Sequence, residues 1–169
     1  AKVPGEAKWQ LRDEIIEELR VGIHWETEVT TKNSSTGHRV CQVFCSAVPV
    51  AYTKSTRSQD WEPMARLVLQ GAYEATLMTG VVLARTRKCR VKVYLTALGG
   101  GAFGNRTVWI ADAIDGAITK FGQEPLDVYL VHFGGGMERV NSSFKNIGRV
   151  TCSAVKVIGR MARARLGTT

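Results

Sequence analysis

Hydrophobic and polar positions change period several times along this chain, and each change marks an element. In residues 9–20, Trp9, Ile15, Ile16 and Leu19 recur at helical spacing, with Asp13, Glu14, Glu17 and Glu18 on the other side. That pattern predicts an amphipathic helix. Residues 21–30 switch to a period of two, with Val21, Ile23 and Trp25 set against His24, Glu26 and Glu28. A half-buried strand has that alternation. A polar loop over 32–39 follows, and then residues 40–48 are close to continuously apolar. The run predicts a strand covered on both faces. Beyond Pro49 and a polar stretch at 53–59, Asp60 is placed to cap a helix with Glu62 and Pro63 in its first turn. This helix is expected to reach about Arg85 and to bury Ala65, Val68, Leu69, Ala72, Ala75 and Thr76. Gly71 and Gly80 interrupt it, each costing about 1 kcal/mol relative to alanine.

The second half is more regular. Residues 91–98 form an apolar strand-like run, and Gly99, Gly100, Gly101 and Gly104 break it. Residues 107–121 then place Ile110, Ala113, Ile114, Ala117, Ile118 and Phe121 in one helical stripe, with Asp112 and Asp115 outside and Gly122 as the stop. Another apolar run occupies 126–133. The order is strand, glycine loop, helix, strand. In such a unit the loop lies at the carboxyl end of a buried strand, and the next helix points its N-terminus into the same crevice. Unpaired amides and a positive helix dipole suit a phosphate. Residues 154–166 carry only a weak, basic helical pattern, and there is no internal repeat.

Composition narrows the function classes. A chain of 169 residues, 44% hydrophobic, is long enough for one domain with a real core. No uninterrupted apolar run reaches the roughly 20 residues that cross a bilayer, so a soluble, cytoplasmic protein without a membrane partner is expected. Cys41, Cys45, Cys89 and Cys152 fit reduced thiols. Neither they nor His24, His38 and His132 have metal-ligand spacing, so no metal and no resident cofactor is expected. The net charge of +8 is unevenly placed. Residues 137–169 hold Arg139, Lys145, Arg149, Lys156, Arg160, Arg163 and Arg165 against Glu138 alone, a balance of +6 that leaves +2 for the rest. The expected division is therefore an α/β domain over 1–136 and a basic extension over 137–169. The extension could bind RNA or an acidic partner through phosphate contacts, or simply be solvated.

Three readings of the glycine loop compete. Gly99, Gly101 and Gly104 satisfy G-x-G-x-x-G, but the following strand ends in His132, Phe133 and Gly134, without the acid that holds a ribose hydroxyl in a dinucleotide site. An NAD-binding Rossmann-type enzyme remains an alternative. Gly99 and Gly104 also have the spacing of a triphosphatase loop, but Asn105 and Arg106 stand where Lys and Ser or Thr are required. The third reading covers more residues. The segment Val93-Tyr94-Leu95-Thr96-Ala97-Leu98-Gly99-Gly100-Gly101-Ala102-Phe103-Gly104-Asn105 resembles the second phosphate-binding loop of macrodomains. Val43-Phe44-Cys45-Ser46-Ala47-Val48-Pro49 looks like the buried strand that ends in a similar Ala-Val-Gly-Pro run in that family. The helix containing Ala72-Tyr73 and the strand at 128–133 complete the resemblance, which spans residues 9–133 in order.

The resemblance implies a three-layer α/β/α domain with a mixed central sheet, equivalent to the later part of a macrodomain. It implies binding of ADP-ribose, free or on a protein, or of a related nucleotide diphosphate. Some members also hydrolyse ADP-ribosyl linkages. By position, amides from Gly100 to Gly104 would cradle the diphosphate, with Gly99, Ala102, Ala47, Val48 and Pro49 around them. Phe103 would pack on the distal ribose, and Asn105 would cap the helix or reach a ribose hydroxyl. The family's first loop and early strands have no counterpart in residues 1–8. Asn33, Glu62 and Glu74 do not fit its catalytic pattern. A sheet without those strands would leave the edges of two strands unpaired, to be filled by residues 22–29, by the tail or by a partner.

Overall fold

The computed structural model describes residues 4–30, 37–52, 55–132 and 155–159. Helix α1 (Pro4–Glu18) leads into strands β1 (Gly22–Glu28) and β2 (Arg39–Phe44). Two 3-10 turns (Val50–Tyr52 and Ser58–Trp61) precede the long helix α2 (Glu62–Arg87). Strand β3 (Val91–Thr96), helix α3 (Thr107–Phe121) and strands β4 (Leu126–His132) and β5 (Val155–Gly159) follow. The architecture is mixed α/β with two small sheets. Strands β1 and β2 pair antiparallel, and β3, β4 and β5 form a parallel sheet in that order.

The apolar stripes explain the packing. Helices α2 and α3 lie against each other and over one face of the parallel sheet, where Val93, Leu95, Val128 and Leu130 point inward. Leu69, Leu77, Trp109, Ile110 and Ile114 are the largest fully buried side chains. The stripe expected on α3 is buried throughout, from Ile110 to Phe121. Helix α2 buries Ala65, Leu69 and Ala72 as expected, but Val68, Ala75 and Thr76 are only half-buried, while Leu67, Tyr73, Leu77 and Val81 are buried, and α1 packs against the helix. By length and composition the helical stretch Ser58–Arg87 could cross a membrane, yet 61% of its apolar window is buried within the protein, as in a core helix. On the opposite face of the parallel sheet, Tyr94 stacks on Tyr129 at 5.1 Å and is 52% exposed.

The two interrupting glycines of α2 have packing roles. A Cβ on Gly80 would stand 2.8 Å from Val93 Cγ2 and 3.2 Å from Leu126 Cδ2, so the bare backbone lets the helix sit close on the sheet. At Gly71 the nearest neighbour is the terminal methyl of Leu19, on the half-buried end of the α1 segment, which can rotate away. Opposite outcomes are expected for one chemical change. Gly71→Ala should be neutral or stabilising, since alanine favours the helix by about 1 kcal/mol. Gly80→Ala should destabilise by about 1–3 kcal/mol through overpacking. Urea unfolding of both variants checks the contrast.

Several expectations are corrected. Strand β2 ends at Phe44 and is only half-buried, not covered on both faces, because β1 is its sole pairing partner among the described residues. In β1 a bulge at Glu26, with φ of 54°, breaks the alternation, and Trp25 is left 49% exposed. Asp60 does not cap α2. Its carboxylate closes the preceding 3-10 turn by accepting from the Arg57 backbone N–H at 3.2 Å and guanidinium at 3.0 Å. Within the stretch expected to be helical near the C-terminus, residues 155–159 are a strand that extends the sheet beside β4. The sheet thus includes five residues of the segment expected as a basic extension. The Trp9 side chain, Asn33 and the remaining basic residues of 137–169 lie outside the described residues.

Candidate functional site

The glycine loop leaves β3 at its carboxyl end and returns into α3, as the sequence order requires. Two anchors fix its entry. The Tyr73 hydroxyl, on α2, donates to the Thr96 carbonyl at 2.8 Å and accepts from the Leu98 N–H at 2.9 Å. Burial pushes this phenol well above its usual range, so it stays a neutral donor. Within the loop, Gly100 N–H donates to Ala97 O, Gly104 N–H to Gly101 O and Asn105 N–H to Gly99 O, at 3.1, 3.0 and 3.0 Å. Gly99 and Gly104 both have φ of 71°, a left-handed conformation that glycine adopts without strain.

Two segments far apart in sequence meet here. The run after β2 reaches the loop through Asn105, whose Nδ2 donates to the Val48 carbonyl at 2.8 Å and to Gly99 O at 3.3 Å. Ala51 N–H donates to Phe103 O at 2.9 Å. Contact is close enough that a Cβ on Gly99 would fall 2.4 Å from Ala47 Cβ, and one on Gly104 2.7 Å from Ala51 Cβ. So Ala47, Val48 and residues 99–105 do converge. Ala47 is buried under Gly99, Val48 lends its carbonyl, and Pro49 is exposed.

Roles within this cluster differ from the expected ones. The amides of Gly100 and Gly104 are already used within the loop, so they do not face a ligand. Among the described residues, the amides of Gly99, Gly101, Ala102 and Phe103 make no hydrogen bond. Gly101 and Ala102 are exposed, and a Cβ added to Gly101 would meet nothing within 4 Å. Asn105 neither caps α3, whose N-cap is Arg106 without a side-chain bond, nor faces solvent. It is 4% exposed and works as a strut between the two segments. Among the described residues, its Oδ1 is the buried side-chain atom that has no partner. Phe103 is half-buried against the core, and the exposed Tyr52 ring meets it edge-on at 5.4 Å. Arg106 lies over the Trp109 ring at the start of α3.

Tyr52 and Ala51 were not singled out from sequence, and Tyr73 only as part of the resembled helix, because their contacts are made only when α2 and the segment after β2 close on the loop. The acids nearest the family pattern are engaged in ion pairs. Glu62 accepts from Arg66 at 2.7 Å, and the buried Glu74 accepts from Lys120 at 2.6 Å and Gln70 at 2.7 Å. Among the described residues no group of three His, Cys, Asp or Glu side chains could hold a metal ion. The two described cavities lie elsewhere: one between β2, α2 and β3, the other between Arg12, Gln70 and Trp109. The loop does not line either cavity. No family model matches the chain, and no curated protein or solved structure matches it.

Proposed function

We propose that this chain binds ADP-ribose or a related nucleotide diphosphate at the loop 99–105, in a macrodomain-like setting of three α/β/α layers. The observation that carries the reading is the set of amides at Gly101, Ala102 and Phe103 that make no bond among the described residues, held at the start of α3 by a braced backbone. Oxyanions are stabilised at such a place by several N–H groups at once and by the helix dipole. The exposed Tyr52 and the half-buried Phe103 offer an aromatic edge beside those amides, suited to a ribose or base. The proposal is for binding, and no residue is assigned to hydrolysis of an ADP-ribosyl linkage.

Gly101 gives a clean test because its surroundings are empty. A Gly101→Glu variant should fold with an unchanged melting temperature and place a carboxylate where the diphosphate would lie. For the parent chain, ADP-ribose at 100 times its dissociation constant should add about 2.7 kcal/mol of stability. Titration calorimetry and thermal shift should both register the ligand, and the variant should lose it. Stabilisation by NAD but not ADP-ribose would favour the dinucleotide alternative, and stabilisation by neither at millimolar concentration would end the proposal.

A further inference from the structure

The two sheets face each other across a gap. Strand β2 pairs only with β1, and β3 only with β4, among the described residues. The edges they leave free border one cavity of about 440 Å³, floored by Thr76, Thr79, Gly80 and Leu83 of α2. Consecutive residues Val91, Lys92, Val93 and Tyr94 line it, as do Arg39, Val40 and Cys41. Neighbouring residues of a strand send their side chains to opposite faces, so what they share is a backbone edge. The cavity is bounded by main chain on two sides.

The ladders identify the free groups. Val91 N–H donates to Pro125 O on the β4 side, so in this parallel pair Val91, Val93 and Leu95 turn toward β4. Lys92 and Tyr94 turn their N–H and C=O into the gap. On β2, Val29 N–H donates to His38 O, which makes His38, Val40 and Gln42 the residues turned toward β1. Arg39, Cys41 and Val43 then face the gap. The next carbonyl along β3, that of Thr96, is taken by Tyr73 and closes the slot at the glycine-loop end.

Charge and size select an occupant. Four basic side chains, Arg39, Arg87, Arg90 and Lys92, border the slot, and no acid lines it. Arg87 is paired with Glu26 and Arg90 with Asp127, whereas the exposed Arg39 and Lys92 have no ion pair among the described residues. The α2 floor is built of small and branched residues that accept β-branched apolar side chains.

We propose that the slot between β2 and β3 binds an extended acidic peptide segment of another polypeptide by strand addition. Apolar residues of that segment point at α2, Asp or Glu side chains between them meet Lys92 on the opposite face, and a terminal acid of the segment meets Arg39 at the end of the slot. The inserted strand joins both small sheets into one, β1-β2-insert-β3-β4-β5, and satisfies main-chain groups that have no partner among the described residues. The glycine loop takes no part, so this inference stands apart from nucleotide binding.

The test uses the whole chain and a blocked octapeptide of alternating valine and glutamate, with an alternating valine–lysine peptide as its counterpart. Fluorescence anisotropy should show saturable binding of the first at least tenfold tighter than the second. Hydrogen exchange at the Lys92 and Tyr94 amides should slow at least tenfold when the acidic peptide is bound. Lys92→Pro removes a free-edge donor while leaving the β3–β4 ladder, and should abolish binding. Should that variant fail to fold, the double change Arg39→Glu with Lys92→Glu should reverse the preference between the two peptides. Absence of saturable binding, or equal affinity for both peptides, overturns the proposal. So does protection of these amides in the peptide-free chain, whether lost on dilution as for a second copy or retained as for a segment of its own.

Discussion

Gly99→Val should be the most damaging single change in the glycine loop, with a loss of about 3 kcal/mol or more and, with it, loss of the proposed ligand binding. Two independent costs add. Position 99 has φ of 71°, and for a residue with a Cβ the left-handed conformation costs about 1–2 kcal/mol. The new Cβ would also fall 2.4 Å from Ala47 Cβ and 2.6 Å from Asn105 Nδ2. Ala47 is a short, buried side chain on another segment, and the loop must move to escape it, which adds about 1–3 kcal/mol of overpacking. Gly99→Ala should show most of this loss, because the Cβ alone makes the collision. Gly101→Ala should show none of it, since that position is open and has an ordinary φ. Chemical denaturation of the three variants checks the order. Equal stability of Gly99→Ala and Gly101→Ala would mean that the loop is not clamped against the segment after β2.

How much of this was legible in the sequence depends on the range of the interactions that fix each feature. Helix α3 was readable almost to the residue, because its stripe from Ile110 to Phe121 is set by local spacing and is buried throughout. Strands β3 and β4 were placed to within two residues at their ends for the same reason. Strand β2 misled. Its apolar run resembles a central strand, yet its exposure is decided by what pairs with it, a non-local fact that no window of sequence contains. Trp25 failed for a smaller reason: one residue at positive φ, Glu26, shifts the register and turns the ring out. Residues 155–159 read as a weak helix because Val155, Val157 and Ile158 fit either period over so short a stretch. Their partner β4 settles them as a strand.

At the candidate site the position of the loop was legible, and the partners of its amides were not. Four glycines between a strand and a helix announce a loop where backbone approaches something. Which amides remain free could not be read, since that depends on turns closed inside the loop by Gly100, Gly104 and Asn105. The anchors were invisible for a further reason. Tyr73 lies on the buried side of α2, where an aromatic residue reads as core, and only its hydroxyl, 2.8 Å from Thr96 O, gives it a second role. The edges of β2 and β3 are a different case. They have no partner among the described residues, and neither β1 nor β5, which fall in the segments expected to fill an open edge, does so: each pairs on the far side.

Asn105 offers the sharpest electrostatic test of the arrangement. Its Nδ2 donates to two carbonyls, Val48 O and Gly99 O, in a position only 4% exposed. Asn105→Asp keeps shape and volume but replaces the donor with an acceptor. A carboxylate there would be buried, would face two carbonyl oxygens and would gain no donor that the amide lacked. We expect a loss of about 3 kcal/mol or more at neutral pH, since burying an unpaired charge costs more than losing a hydrogen bond. Asn105→Ala should cost less, about 1–2 kcal/mol, because it removes the bonds without adding a charge. The sign of the pH dependence separates the two. Burial and the facing carbonyls raise the folded-state pKa of the introduced carboxyl above its unfolded value near 4. Its penalty is therefore smallest below that value, where the protonated acid can donate to one carbonyl, and grows as pH rises through neutrality. Unfolding curves of Asn105→Asp, Asn105→Ala and the parent at pH 4 and pH 7 check this. The gap between Asn105→Asp and Asn105→Ala should widen at the higher pH, and a gap independent of pH would show that the side chain at 105 reaches solvent and does not brace the loop.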